Sequence, residues 1–333
     1  MDYWLTFKSV WNVHAGYSLR ALKNKLKLLV LVMKNRAALK SFLSRMSSAL
    51  GASGFKKLGD DCIGVVQWPY ISKSWEAPER LSAIASHYEE VSRHCPQLLL
   101  SGRDERLILS DLSEWAEECT LVLDRPVWFM REGEVVLNLF QGDLRIASLA
   151  FTLRRTDAGL CLFIGAVQGI HKGIESDRSL SIYRDLTKAF EGLRPRSFLI
   201  EVIKYIAVNI GVEKIYAVGD EYRHHRHSYF GSEKAQELAA NYDVIWLEHG
   251  ATPSGREDFF EIPMAPSAKP LESIAAKKRA MYRRRYELLD STFKKIDSVL
   301  MRSYTANATV QADAPDSRAA VAMPAPVTTP NDL

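Results

Sequence analysis

Leu144-Arg-Ile-Ala-Ser-Leu-Ala-Phe-Thr-Leu153, Arg154-Arg-Thr-Asp-Ala-Gly159 and Leu160-Cys-Leu-Phe-Ile-Gly-Ala-Val167 form the stretch on which the fold turns. Two apolar runs of strand length flank a polar segment that ends in glycine, which predicts a hairpin of buried strands. Just upstream, Val127-Trp-Phe-Met130 and Val135-Val-Leu-Asn-Leu-Phe140 around the turn Arg131-Glu-Gly-Glu134 predict another hairpin. Downstream, helices are expected over 176–191 and 197–210, then a strand from Ile215 to Val218 and a short helix from Ser232 to Ala240. Two further strands, Val244 to Leu247 and Phe259 to Ile262, flank the loop Gly250-Ala-Thr-Pro-Ser-Gly255. The fold class expected is α+β, a central, mostly antiparallel sheet with flanking helices, preceded by a helical N-terminal region.

That N-terminal region begins with a helix over 17–50. Leu19, Leu22, Leu26, Leu29 and Met33 recur at helical spacing, Leu39, Phe42, Met46 and Leu50 follow, and Gly51-Ala-Ser-Gly54 ends the pattern. Residues 76–120 read as helices, with Leu107, Ile108, Asp111, Leu112 and Trp115 spaced helically between Asp104 and Glu118. After the sheet comes a basic helix from about 271 to 300, carrying the stripe Tyr282, Tyr286, Leu289, Phe293, Ile296 and Leu300. From 305 on, Ala, Pro, Thr and Asp without aromatics or periodicity predict disorder. The expected organisation is a basic helical region at 1–58, a helical subdomain at 59–126, an α+β core at 127–300 and a tail at 301–333.

Charge is distributed unevenly. Residues 1–58 hold eleven Lys/Arg and one acid, Asp2, while 271–295 hold eight Lys/Arg and three acids, around a net acidic body. The basic segments can dock on that body, on anionic membrane or on nucleic acid. Helix 17–50 has an apolar face suited to an anionic lipid surface. Lys277 to Arg279 and Arg283 to Arg285 suit pairing with carboxylates, and a nucleic-acid reader would need a groove-entering module that the sequence lacks. Cys62, Cys95, Cys119 and Cys161 form no CxxC pair and suit a reducing compartment. The run Leu28-Leu-Val-Leu-Val-Met33 is far shorter than the roughly 20 residues of a membrane-spanning helix, so a cytoplasmic protein is expected.

The stretch with most chemical promise is Gly211-Val-Glu-Lys-Ile-Tyr-Ala-Val-Gly-Asp220-Glu-Tyr-Arg-His-His-Arg-His227, a short strand running into three of the chain's eight histidines. Histidine titrates nearest neutral pH, and loops after strands carry chemistry. The spacing of His224, His225 and His227 matches no zinc motif, and adjacent His224 and His225 on an extended segment would point to opposite sides. No metal is therefore expected. A general base is, with Asp220 or Glu248 orienting the ring, and Glu248 and His249 are expected at the end of a neighbouring strand. Exposed or anion-binding histidines are the alternative.

Four phrases together, Phe163-Ile-Gly-Ala-Val-Gln-Gly169, Leu186-Thr-Lys-Ala-Phe-Glu-Gly-Leu-Arg-Pro195, Tyr242-Asp-Val-Ile-Trp-Leu-Glu248 and Lys277-Lys-Arg-Ala-Met-Tyr-Arg-Arg-Arg-Tyr286, resemble the VirK/YbjX family of Gram-negative bacteria over roughly 60–300. The resemblance implies a link to virulence, envelope integrity and resistance to cationic antimicrobial peptides, and it carries no catalytic residues over. The order of elements from 144 on also resembles the N-acyltransferase fold of acetyl-CoA-dependent enzymes, in which a helix N-terminus cradles a pyrophosphate. That resemblance implies an acyl-CoA or acyl-carrier-protein donor, and the VirK/YbjX resemblance implies an envelope lipid or protein as substrate. Gln168, Gly169, Lys172 and Gly173 would form the phosphate loop, with Arg194 and Arg196 nearby. The usual motif of that fold, Gln or Arg followed by x-x-Gly-x-Gly, is absent, and an extra helix intervenes. A non-enzymatic membrane adaptor and a nucleic-acid binder are the rival readings.

Overall fold

The computed structural model describes residues 11–14, 16–58, 61–94, 105–171, 173–231 and 240–312. The described elements are, in chain order, α1 (Leu19–Lys34), α2 (Arg36–Leu58), α3 (Asp61–Gly64), α4 (Ala77–His94), β1 (Leu107–Asp111), β2 (Cys119–Asp124), β3 (Val135–Gln141), β4 (Leu144–Thr156), β5 (Gly159–Gln168), α5 (Ser176–Ala189), α6 (Pro195–Asn209), β6 (Lys214–Val218), α7 (Tyr242–Glu248), β7 (Thr252–Pro253), β8 (Phe259–Ile262) and α8 (Ala276–Ala312). The eight strands make one mixed sheet in the order β1-β2-β3-β4-β5-β6-β8-β7. Every neighbouring pair is antiparallel except β5 and β6, which run parallel because α5 and α6 carry the chain back across the sheet between them. The α+β class and the predominantly antiparallel sheet therefore stand.

The hairpin at 144–167 forms as the sequence predicts, with Thr156 opposite Gly159 at its tip. Strands β3, β4 and β5 are buried at consecutive positions, so both faces of the sheet's centre are covered. Helix α6 explains part of that cover. Phe198, Leu199, Ile200, Val202, Ile203, Ile206 and Ala207 are all buried, and the helix packs on β3, β4 and β5. Helix α4 packs on β4 where β4 outruns β3. There the Leu153 N–H donates to His87 Nδ1 (3.0 Å) and the Arg155 N–H to Ser86 Oγ (2.8 Å), so two edge donors of β4 are satisfied. Burial holds the His87 ring neutral, its pKa pushed down to about 3.

Four expectations are corrected. The described residues 105–118 are not helical: Leu107–Asp111 and Cys119–Asp124 form the hairpin β1–β2 at the sheet edge, so strands as well as helices occupy the segment 59–126. The residues that mimicked helical spacing lie in β1 (Leu107, Ile108 and Asp111) and in the turn after it (Leu112 and Trp115), and Glu118 makes that turn with a positive φ of 54°. Val127–Phe129 is a 3-10 turn after Pro126 rather than a strand, because β2 already occupies the edge of β3. Tyr242–Glu248 is a helix, capped by the Asn241 side chain, which accepts from the Asp243 and Val244 N–H groups. Helix α8 continues to Ala312, past the point where disorder was expected. The expected helix at 232–240, the remainder of the tail and Lys172 fall outside the described residues.

Candidate active site

The site is built around the end of β5. Between Ala150 and Phe151 the β4–β5 register slips by one residue, leaving Gly165 as the extra residue of a bulge. The turn Arg131-Glu-Gly-Glu134 lies against this bulge. A Cβ on Gly165 would stand 2.0 Å from the Glu132 carbonyl oxygen, and one on Gly133 would stand 2.5 Å from the Phe151 nitrogen, so both positions require glycine. This approach drives Glu132 into the interior, where it is 2% exposed.

Glu132 is a site residue that the sequence does not single out; it lies in the segment expected as the turn Arg131-Glu-Gly-Glu134. Its carboxyl accepts from Gln168 Nε2 at 2.9 and 2.8 Å, and His225 Nδ1 lies 3.8 Å from Glu132 Oε1. Burial pushes the Glu132 pKa up to about 8, against the opposing pull of the Arg223 charge and the Gln168 hydrogen bond. The group therefore carries its proton at neutral pH and titrates just above it.

The histidines reach this acid through a 3-10 turn at His224–Arg226 rather than an extended segment. The turn brings the His224 and His225 rings together, with centroids 3.7 Å apart, beside the Phe230 ring. The expectation that they point to opposite sides is thus overturned. His227 plays another part: its Nδ1 accepts from the Tyr229 N–H (3.0 Å). Burial, then the Arg80 and Lys27 charges, hold its pKa below the ordinary imidazole value, against a raising influence from Glu76.

Asp220 is not a ring-orienting carboxylate. It accepts from the Tyr242 N–H (3.1 Å) and pairs with Arg223 (3.3 Å) and Arg226. Burial pulls its carboxyl upward, but these donors outweigh it and hold the group below the usual carboxylate range. Asp220 and Arg223, which stacks 3.7 Å over the Tyr242 ring, thus brace the histidine turn. The segment before α4 ties the two halves together. The Ile71 N–H donates to the Arg131 carbonyl (2.8 Å), and the Ile71 carbonyl accepts from the His224 N–H (3.1 Å). Ile71 does this at φ 54°, a left-handed conformation that a β-branched residue adopts only when its surroundings impose it.

Arg194, Arg196 and Glu248 belong to a neighbouring cavity of about 230 Å³ at the N-terminus of α6, lined also by Tyr183, Ser197 and His249. Glu248 pairs there with Arg194 at 2.9 Å, both half-exposed, so it is not a partner of the histidines. Ser197 Oγ and His249 Nε2 are 3.3 Å apart, and burial keeps the His249 pKa low, with the Lys204 charge adding to it. The helix end that lines the cavity is that of α6, not that of the helix after Gln168-Gly169; Gly173 is exposed and turns back on His171. Gly169, however, touches both sites. A Cβ there would lie 1.9 Å from the Tyr183 hydroxyl and 2.8 Å from Arg196, while its neighbour Gln168 holds Glu132.

Glu132, His224 and His225 offer ligand atoms that all lie within 4.8 Å of one another, a set that could hold a divalent ion. Gln168 already donates to both carboxylate oxygens, and Arg223 acts electrostatically on the same carboxyl, which opposes a cation. The arrangement is better suited to holding and moving a proton.

A family model described as "Protein of unknown function (DUF535)" matches residues 17–298. The chain belongs to this family. It is 29% identical over 229 residues, 67% of each chain, to the uncharacterized protein YbjX of Escherichia coli (strain K12), which bears out the VirK/YbjX resemblance. It is also 28% identical over 226 residues to an uncharacterized protein of Haemophilus influenzae (strain ATCC 51907 / DSM 11121 / KW20 / Rd), covering 66% of this chain and 71% of that one. No solved structure matches the chain. Among the described residues no helix is long and apolar enough to cross a membrane.

Proposed function

We propose that this DUF535 protein is an acyl-transfer enzyme acting on a lipid or protein of the bacterial envelope. A phosphate-bearing thioester donor, acyl-CoA or an acylated carrier protein, places its phosphate in the arginine cavity at α6, and the thioester reaches Glu132 and His225. The observation that carries this reading is the position of Gln168-Gly169, whose two residues touch the proton-holding acid on one side and Arg196 on the other. The strand order supports it too: β5 and β6 are the parallel pair in an otherwise antiparallel sheet, and the crossover helix α6 presents its N-terminus beside two arginines. The envelope as target rests on the VirK/YbjX relationship.

In the reaction, an acceptor amine or hydroxyl adds to the thioester carbonyl and gives its proton to the imidazole of His225, beside the protonated Glu132. The carbon–sulfur bond then breaks, and the imidazole returns the proton to the departing thiol. An imidazole beside a carboxyl poised near ambient pH suits both transfers, and proton transfer of this kind contributes about 100-fold or more to rate. The test measures free thiol released from acyl-CoA and from acyl carrier protein thioesters in the presence of envelope lipid extract. Release is expected with one donor, slowed about 100-fold in Glu132→Gln. No release with either donor, or release indifferent to Glu132→Gln, would sink the reading.

A further inference from the structure

Helix α1 docks on the rest of the molecule by the face opposite to its most regular apolar stripe. Leu28 and Val32 are fully buried, and Lys25 is turned inward, its Nζ donating to the Gly16 carbonyl (2.8 Å) and lying over the Trp11 and Tyr17 rings. The opposite face carries Leu19 (88% exposed), Leu22 (42%), Leu26 (57%), Val30 (54%) and Met33 (52%). Their spacing of 3, 4, 4 and 3 residues places all five on one line along the helix. Arg20, Lys23, Lys27 and Lys34, all exposed, follow one flank of that line. The helix is capped at its start by Ser18, whose hydroxyl accepts from the Ala21 N–H (3.2 Å).

We infer that this face of α1 lies flat on an anionic bilayer surface, with Leu19, Leu22, Leu26, Val30 and Met33 in the acyl boundary and the flanking cations among the headgroups. Charge decides the occupant. The sequence has no Asp or Glu from residue 3 to residue 59. A second copy packed symmetrically on this face would bring two sets of cations together with no acid in the segment to offset them. An anionic lipid surface meets the same cations with opposite charge and the same leucines with hydrocarbon, the pairing on which interfacial helices depend. This docking goes beyond the chemistry proposed above and stands whether or not the chain transfers an acyl group.

The full chain would be sedimented with vesicles of phosphatidylcholine alone and with vesicles of equal parts phosphatidylcholine and phosphatidylglycerol. Binding is expected to the mixed vesicles, at least about tenfold stronger than to phosphatidylcholine and falling as salt shortens the screening length. The double substitution Leu26→Gln with Val30→Gln should abolish it, and Lys23→Glu with Lys27→Glu should remove the preference for the anionic vesicles. All four side chains are exposed, and circular dichroism melts check that the variants remain folded. Equal binding to both vesicle types, or binding untouched by the two apolar substitutions, would overturn the inference. So would a concentration-dependent dimer in sedimentation velocity that those substitutions abolish, since a second copy would then be the occupant.

Discussion

Glu132 is the residue on which most depends, and its environment makes a measurable claim about stability. The folded state raises its pKa to about 8 by burial, whereas the unfolded chain titrates near 4.5. Below 4.5 both states hold the proton and no penalty exists. Between 4.5 and 8 the folded state binds more protons than the unfolded one, so stability falls as pH rises and levels off above 8. Each tenfold shift in the protonation equilibrium is worth about 1.4 kcal/mol, so a loss of a few kcal/mol is expected across this window. Glu132→Gln removes the ionising group while keeping its shape. Urea titrations at a series of pH values should find the variant more stable than wild type at pH 9 and close to it at pH 5. A second residue test concerns the bulge. Gly165→Ala drives a methyl group into the Glu132 carbonyl and should cost about 1–3 kcal/mol, read as a lower urea midpoint with an unchanged slope.

At the scale of elements, α7 bridges β5 and β6 beyond Ile164 and Ala217, where their pairing ends. Tyr242 accepts from the Val167 N–H (3.2 Å) and Trp246 donates to the Val218 carbonyl (2.8 Å), so one short helix joins the ends of both strands. Burial raises the Tyr242 hydroxyl pKa to about 12, which keeps it a neutral acceptor. Tyr242→Phe leaves the Val167 N–H unpaired in the interior and should cost about 1–3 kcal/mol, checked by urea unfolding. How much of this was legible depends on length. The thirteen- and ten-residue strands β4 and β5 were read correctly, because a long apolar run with a glycine-ended turn admits few alternatives. The seven residues of α7 are too short for period 2 to be told from period 3.6, and Asn241, the cap that marks a helix start, was the available signal. In β1 and the turn after it, apolar residues three to five apart imitated a helix.

At the scale of the whole molecule, the candidate site is assembled from four separated segments: 70–73, 131–134, 165–169 and 220–230. The sequence marked two of them, through Gln168 and the histidines. It marked Asp220 and Glu248 as partners of the histidine rings, whereas one braces the turn through arginines and the other lies across the arginine cavity. Glu132 carried no local signal, since an acid in Arg-Glu-Gly-Glu reads as a surface turn until the β4–β5 bulge is seen to receive it. Ile71 gave none either; its positive φ is imposed by contacts with two segments distant in sequence. In the two basic clusters of helix α8, Arg284 pairs with Glu191 at 2.8 Å while Arg279 and Arg285 donate to backbone carbonyls; Lys295, outside both clusters, pairs with Glu114 at 2.8 Å.

The central claim is that a thioester donor seats its phosphate at α6 and reaches Glu132. Isothermal titration of acyl-CoA into wild type, Arg196→Ala and Glu132→Gln tests it most directly. Saturable binding to wild type is predicted, weakened about tenfold or more in Arg196→Ala by loss of one charge-assisted contact and little changed in Glu132→Gln. Absence of binding by acyl-CoA and by an acylated carrier protein alike, or binding that Arg196→Ala leaves intact, would contradict the account.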